Sequence, residues 1–265
     1  MKFIAILLLA VLLCSCGPGT RSAVVVAGST SVQPYAEVLA EEYAKRYPGR
    51  DVDIQGGGSS AGIRAAQSGT ADIGMSSRGL SGDELQMWSA EIARDGLAMI
   101  VHPNNALDSL TPEEVRAVYT GRVTNWGELG GPEGRIHVIT REEGSGTRGA
   151  FEDMLMEGQM ITLKAIVQNT NGSVRQLVSN DASSIGFISL GLVDDTVKAL
   201  QLDGVEATGE NVTNGSYMLF RPFIFVSEGE PDGSVMQFIE FTMSPEGQAI
   251  LAGEGLVSSG EVARR

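Results

Sequence analysis

Cysteine is nearly absent. Cys14 and Cys16 are the only two in 265 residues, so a disulfide framework cannot hold the fold and a buried apolar core must. Histidine is as scarce: His102 and His137 stand far apart with no cysteine beside them, which is not the spacing of a metal site. Lysine occurs four times, and 19 basic residues face 33 acidic ones for a net charge of −14. Such a chain has no basic face with which to hold nucleic acid. Aromatic residues make up 6 % of the chain, and after residue 16 no apolar run is long enough to span a bilayer. No Gly-Lys-Ser/Thr occurs, so there is no P-loop. No self-similarity recurs at about 20–50 residues, so the chain is not a repeat array. Neither a metal nor a cofactor is expected.

What the chain does have begins at its start. Lys2 precedes an apolar run, Phe3 to Leu13, which has the length of a signal-peptide core and is too short for a membrane span. Leu13-Cys14-Ser15-Cys16-Gly17 follows and resembles a bacterial lipobox, with Cys16 as the acylated residue. Cys14 does not fit, because Leu13 would then stand where a small residue is required. Residues 1–15 therefore read as a signal peptide and 16–22 as a lipidated tether of small and polar residues. Cleavage removes Lys2 and leaves the mature chain one unit more negative. About 250 residues then suffice for one large domain or two lobes.

From Val24 onward strand and helix signals alternate. Val24-Val25-Val26-Ala27 is extended. Tyr35, Leu39, Tyr43 and Tyr47 form one helix face, stopped by Pro48. Asp51 to Gln55 and Ala71 to Met75 read as strands around a short helix at 61–68. Leu97 to Val101, Ile136 to Thr140, Ile185 to Ile188 and Phe223 to Val226 are further strands. Thr111-Pro112-Glu113-Glu114 opens a helix with a cap, a first-turn proline and an N3 glutamate. Helices are also expected after Thr147, from Gly172, from Ser234 and from Pro245. Strands alternating with helices predict an α/β architecture with mostly parallel sheets.

Three loops share one design: Gly28-Ser29-Thr30-Ser31, Gly57-Gly58-Ser59-Ser60 and Gly144-Ser145-Gly146-Thr147. Each lies after a strand and before a helix. A helix N-terminus exposes unpaired N–H groups and the positive end of its dipole. Glycine allows close approach and hydroxyls add donors, so such an end suits an anion. One loop of this kind is ordinary capping; three, with Arg141 beside the third, point to an oxyanion site.

In this order the three loops, Asp72-Ile73-Gly74-Met75-Ser76-Ser77-Arg78 and Arg141-Glu142-Glu143-Gly144-Ser145-Gly146-Thr147-Arg148 resemble the phosphate-binding proteins of high-affinity phosphate ABC importers. Tyr119 to Trp126 and Ser244-Pro245-Glu246-Gly247 share the likeness, which covers nearly the whole mature chain. The resemblance implies a type II periplasmic-binding-protein fold, two α/β lobes joined by a hinge. Lobe I would comprise residues 22–99 plus 224–265 and lobe II residues 100–223, with crossovers near Ile100 and Arg221–Phe223. It implies that Ser29, Thr30 and Ser31 donate from the first loop, Ser59 from the second, and Ser145, Gly146 and Thr147 from the third. Arg141 would supply the charge, oriented by Glu143, while Asp72 would be structural. Ser77 stands where the best-known members carry an aspartate that accepts the phosphate proton, which predicts a smaller preference for phosphate over sulfate. The implied partners are inorganic phosphate, the permease subunits of an ABC importer, and the membrane through the N-terminal lipid. The protein would act as a monomer in the cell envelope, on the outer face of the cytoplasmic membrane or in the periplasm.

Rival readings are weaker. Gly58-Ser59-Ser60-Ala61-Gly62 fits the G-x-S-x-G of a serine hydrolase with Ser60 as nucleophile, but neither histidine lies in a suitable context and no oxyanion segment is present. Gly56 to Ala61 matches a loose dinucleotide fingerprint, on the second strand instead of the first. No catalytic residue is expected. Sulfate or molybdate as solute remains the serious alternative.

Overall fold

The computed structural model describes residues 23–258. The predicted signal peptide, the tether and Cys16 lie outside them. Among the described residues no helix is long and apolar enough to cross a membrane.

The strands of three residues or more are β1 (Ala23–Gly28), β2 (Asp51–Gly56), β3 (Ile73–Ser76), β4 (Trp88–Val101), β5 (His137–Arg141), β6 (Ile166–Gln168), β7 (Ser184–Ser189) and β8 (Phe220–Ser227). They join in one sheet in the order β2-β1-β3-β8-β4-β7-β5-β6. β2 and β3 are parallel to β1, and β6 and β7 are parallel to β5. Between these groups β8 is antiparallel to β3 and β4, and β4 is antiparallel to β7. The sheet is thus mixed, two parallel groups around an antiparallel middle. The expectation of mostly parallel pairing holds only within each group.

β4 explains the middle. It runs 14 residues, whereas the apolar run Leu97 to Val101 marks only its second half. Its first half contains Ser89, Glu91, Arg94 and Asp95, so it does not read as a buried strand. That half pairs with β8, from Trp88↔Ser227 to Gly96↔Phe220. From Leu97 onward the strand pairs with β7 instead. β1, β2 and β3 run in the direction of the first half, while β5, β6 and β7 run against the second. Both parallel groups therefore aim their C-terminal ends at the point where β4 changes partner, between Gly96 and Leu97. This directs the strand-to-helix loops after β1, β2, β5 and β6 to one region.

The helices that matter for that region are α1 (Gln33–Arg46), α2 (Ser59–Gln67), α3 (Pro112–Thr120), α4 (Gly146–Phe151, continuing as a π turn to Met156) and α5 (Asn171–Asn180). The caps read from sequence are present: Thr111 Oγ1 accepts from the Glu114 N–H and Glu114 reaches back to the Thr111 N–H. α1 buries Tyr35, Leu39 and Tyr43 but leaves Tyr47 largely exposed. These residues belong to a core with Val26, Ile73, Phe223, Phe225 and Phe238. A second core gathers Met99, Tyr119, Phe151, Leu155 and Phe187, where the Phe151 and Phe187 rings stack at 4.2 Å. At 25 cal/mol per Å² of apolar surface, burial of each such ring contributes about 2–3 kcal/mol.

Candidate functional site

β1 ends at Gly28, whose φ of 140° and position against the Met75 carbonyl leave no room for a side chain. The chain turns there. Ser29 Oγ accepts from the Ser31 N–H at 3.2 Å and donates to Ser77 Oγ at 2.8 Å. β2 ends at Gly56; Gly57 and Gly58 follow, both at positive φ, and the Gly58 N–H donates to the Gly28 carbonyl at 2.9 Å. This ties the first two loops together. Ser59 opens α2, is fully buried, and accepts from the Ser77 N–H at 3.0 Å. On the other side β5 ends at Arg141 and Gly144 turns at φ 85°. Ser145 caps α4 by accepting from the Arg148 N–H at 3.3 Å. Ser145, Gly146 and Thr147 are all buried.

The two sides meet. Ser31 and Thr147 share a hydroxyl hydrogen bond of 2.7 Å, and the Ser60 N–H donates to the Gly144 carbonyl at 3.1 Å. Arg141 Nη2 donates to Thr30 Oγ1 at 3.0 Å. Gly146 faces the Ser59 and Ser77 hydroxyls so closely that a Cβ there would strike both. The residues read from sequence as anion donors are thus brought to one region: Ser29, Thr30, Ser31, Ser59, Ser77, Arg141, Ser145, Gly146 and Thr147. Ser145 and Ser29 have their hydroxyls engaged by backbone N–H groups, Ser145 by Arg148 and Ser29 by Ser31 and Val32.

Arg141 is 1 % exposed. Its Nε and Nη2 donate to the two carboxylate oxygens of Glu142 at 2.9 and 3.0 Å, and to the Gln168 and Asn169 carbonyls at 3.1 and 2.9 Å. Nη1 makes one long bond, to Thr147 Oγ1 at 3.4 Å, and so faces the hydroxyl cluster with donor capacity to spare. The acid that orients the guanidinium is Glu142, not Glu143. Glu143 is exposed, whereas Glu142 lies along the fork and fills it from both oxygens, the fit a planar guanidinium favours. Asp72 is structural as expected: its Oδ2 accepts from the Val25 N–H at 2.9 Å.

The structure adds groups that the sequence reading did not single out. Asn171, buried at the start of α5, donates to Ser31 Oγ at 2.8 Å. Its segment Thr170-Asn171-Gly172-Ser173 has the same polar, glycine-bearing grammar as the other loops, so it was legible. Arg221 and Asp95 were not. They are direct cross-strand partners on β8 and β4, beside the residue where β4 changes partner. Arg221 Nε and Nη2 donate to Asp95 Oδ2 at 3.1 and 2.9 Å, and Ser189 Oγ donates to Oδ1 at 2.8 Å. Burial pushes the Asp95 carboxyl above its usual range and the Arg221 guanidinium below its own, each countered by the other's charge. Arg221 Nη1 points at Ser77 Oγ, 3.5 Å away.

The region therefore offers hydroxyl donors, helix-start amides and two buried guanidiniums, each guanidinium held by one carboxylate. Nothing in it resembles a nucleophile with a base. Ser60 Oγ meets only Arg78 Nη2 at 3.4 Å. His137 Nδ1 pairs with Asp181 at 2.6 Å, and His102 Nδ1 accepts from the Asn104 N–H. Among the described residues no group of three or more His, Cys, Asp or Glu could hold a metal ion.

Residues 17–246 match the model of the PBP superfamily domain. A Clostridium perfringens protein described as a phosphate ABC transporter substrate-binding protein, solved with bound phosphate, is 42 % identical. It aligns over 89 % of this chain and 99 % of its own with a TM-score of 0.86. An ABC-type phosphate transport receptor from Vibrio cholerae is 36 % identical over 89 % of this chain and 100 % of its own, with a TM-score of 0.77. The phosphate-binding protein PstS of Pseudomonas aeruginosa is 30 % identical over 263 residues, 87 % of this chain and 81 % of its own.

Proposed function

We propose, from the premise that this chain belongs to the PBP superfamily and within it to the PstS phosphate-binding proteins, that it binds inorganic phosphate where its strand-to-helix loops meet and delivers it to an ABC importer. It has the type II periplasmic-binding-protein fold of its relatives, and like them it is a binding protein, not an enzyme. The observation that carries the reading is Arg141: a guanidinium buried to 1 % exposure, locked by Glu142, with Nη1 turned toward the hydroxyls of Ser31 and Thr147.

In this reading Arg141 supplies the charge-assisted bonds, at about 1.5–3 kcal/mol each. Thr30, Ser31, Ser59, Ser77 and Thr147 contribute hydroxyls, Ser29 acts through Ser77, to which its own hydroxyl donates, and Ser145, Gly146 and Thr147 contribute the amides of the α4 start. Glu142 takes the orienting role. The net charge of −14 opposes an anion only weakly inside a closed site, because exposed charges are screened over about 8 Å at physiological ionic strength. It slows encounter instead.

The expected lobes, residues 22–99 plus 224–265 and residues 100–223, are supported by two separate cores, one of which draws on both ends of the chain. We place the pivot at Gly96–Leu97 on β4, where the strand changes partner, and closure brings Arg141 to Thr30 and Ser31 to Thr147. The protein works outside the cytoplasm, held by lipid on Cys16, and meets the permease subunits as a monomer. Calorimetric titration of the purified protein with phosphate, sulfate and molybdate tests the reading: saturable one-to-one phosphate binding is expected. A protein that binds molybdate and leaves phosphate unbound would refute it.

A further inference from the structure

Ser77 is fully buried, and its oxygen is surrounded by donors. Ser29 Oγ donates to it at 2.8 Å and Arg221 Nη1 at 3.5 Å, which occupies both lone pairs of the hydroxyl. The Arg221 contact is not free to turn away. Two of the three guanidinium nitrogens are held on Asp95 Oδ2, Asp95 is held by Ser189, and the guanidinium lies 5.5 Å from the centre of the Phe223 ring. An arginine side chain donates and never accepts. What remains to Ser77 is its own proton, for which Ser59 Oγ at 3.4 Å and the space where Gly146 approaches are the directions open to it.

The carboxylates near the site are turned to the guanidiniums. Both Glu142 oxygens accept from Arg141, and both Asp95 oxygens accept from Arg221 or Ser189. Asp72 precedes β3, at the end of that strand away from the loops, and its Oδ2 accepts from the Val25 N–H of β1; Glu143 is exposed. Among the described residues none of these carboxylates is hydrogen-bonded to the hydroxyl cluster of Ser29, Ser59 and Ser77. A site discriminates strongly between close analogues when one of them leaves an obligatory polar partner unpaired. Here a fully deprotonated oxyanion satisfies Ser77 as well as a protonated one does.

We propose that Arg221 is a positioning residue that fixes Ser77 as a hydrogen-bond donor, so that the site takes tetrahedral oxyanions whether or not they carry a proton, sulfate together with phosphate. The proposal rests on the phosphate-binding reading above and names the ligand class of that same site.

The test is titration with phosphate and with sulfate, at one pH and ionic strength, of wild type, Ser77→Ala and the double variant Arg221→Gln/Asp95→Asn. The double variant removes both members of the buried pair and strands neither charge. The wild type should prefer phosphate by less than about a hundredfold, far below the 10⁴ or more of an obligatory hydrogen-bond site. Ser77→Ala should weaken both anions alike, by roughly tenfold or more, because each loses a donor. The double variant should raise the phosphate-to-sulfate ratio by about five- to tenfold, as Ser77 regains a lone pair for the phosphate proton. A wild-type preference above about a thousandfold, or a Ser77→Ala loss confined to phosphate, would overturn the proposal. So would a double variant that weakens both anions with an unchanged ratio, since that marks a merely structural pair. Should the double variant not fold, Ser77→Ala decides alone. A wild type that binds sulfate and no phosphate would overturn the functional reading instead.

Discussion

Replacing Gly146 by alanine separates the stability of the fold from the closure of the site. Gly146 is the first residue of α4 and does not have a positive φ, so the backbone accepts alanine, which is favoured over glycine in a helix by up to about 1 kcal/mol. The added Cβ, however, would lie against Ser59 Oγ, 2.5 Å from Ser77 Oγ and 3.0 Å from Ser59 Cβ. The hydroxyls can swing away, but the Ser59 Cβ cannot follow without moving α2. Either two hydroxyl donors leave the anion or the two sides stay apart. Two hydrogen bonds to a charged ligand are worth about 3–6 kcal/mol together, which is roughly a hundredfold to ten-thousandfold in Kd. Calorimetry with phosphate should show that loss, while thermal unfolding without ligand should give a Tm equal to or slightly above wild type. An affinity within about threefold of wild type, in a folded protein, would refute the placement of Gly146 against Ser59 and Ser77 in the bound state.

Arg141→Lys keeps the charge but loses the fork on Glu142, so phosphate affinity should already fall; Arg141→Ala should cost about 2–4 kcal/mol, and calorimetry measures both. Ser60→Ala removes only a 3.4 Å contact to Arg78 and should leave phosphate affinity within about twofold, with no esterase turnover in either protein. The hydrogen bonds from Arg78 to both oxygens of Glu84, at 2.7 and 2.8 Å, hold that carboxyl below its usual range. Its contribution to stability is complete above the unfolded value of about 4.3 and is lost as pH falls through the lower folded value. The Tm difference between wild type and Glu84→Gln should therefore shrink below about pH 4.

The elements that carry the site were legible because each announces itself locally. Glycine followed by serine or threonine after an apolar run marks a strand-to-helix turn, and three such turns specify the loops around Ser31, Ser59 and Thr147. The long strand β4 was half hidden, since Ser89, Glu91, Arg94 and Asp95 break the apolar pattern that reveals Leu97 to Val101. The Arg221–Asp95 pair left no trace for the same reason. The two residues lie 126 positions apart, and only the antiparallel register of β4 and β8 sets them opposite each other. The orienting acid was misassigned by one position because Glu142 and Glu143 are alike in type. The choice between them depends on which side chain folds back along the guanidinium at the end of β5, and sequence spacing does not resolve that.

The central claim, that the three loops and Arg141 hold a phosphate ion, is tested most directly by a crystal structure of the protein grown with phosphate. One anion is expected within hydrogen-bond distance of Arg141 Nη1, the hydroxyls of Ser31, Ser77 and Thr147, and the amides at the start of α4. An anion bound elsewhere, or at this place without contact to Arg141, would contradict it.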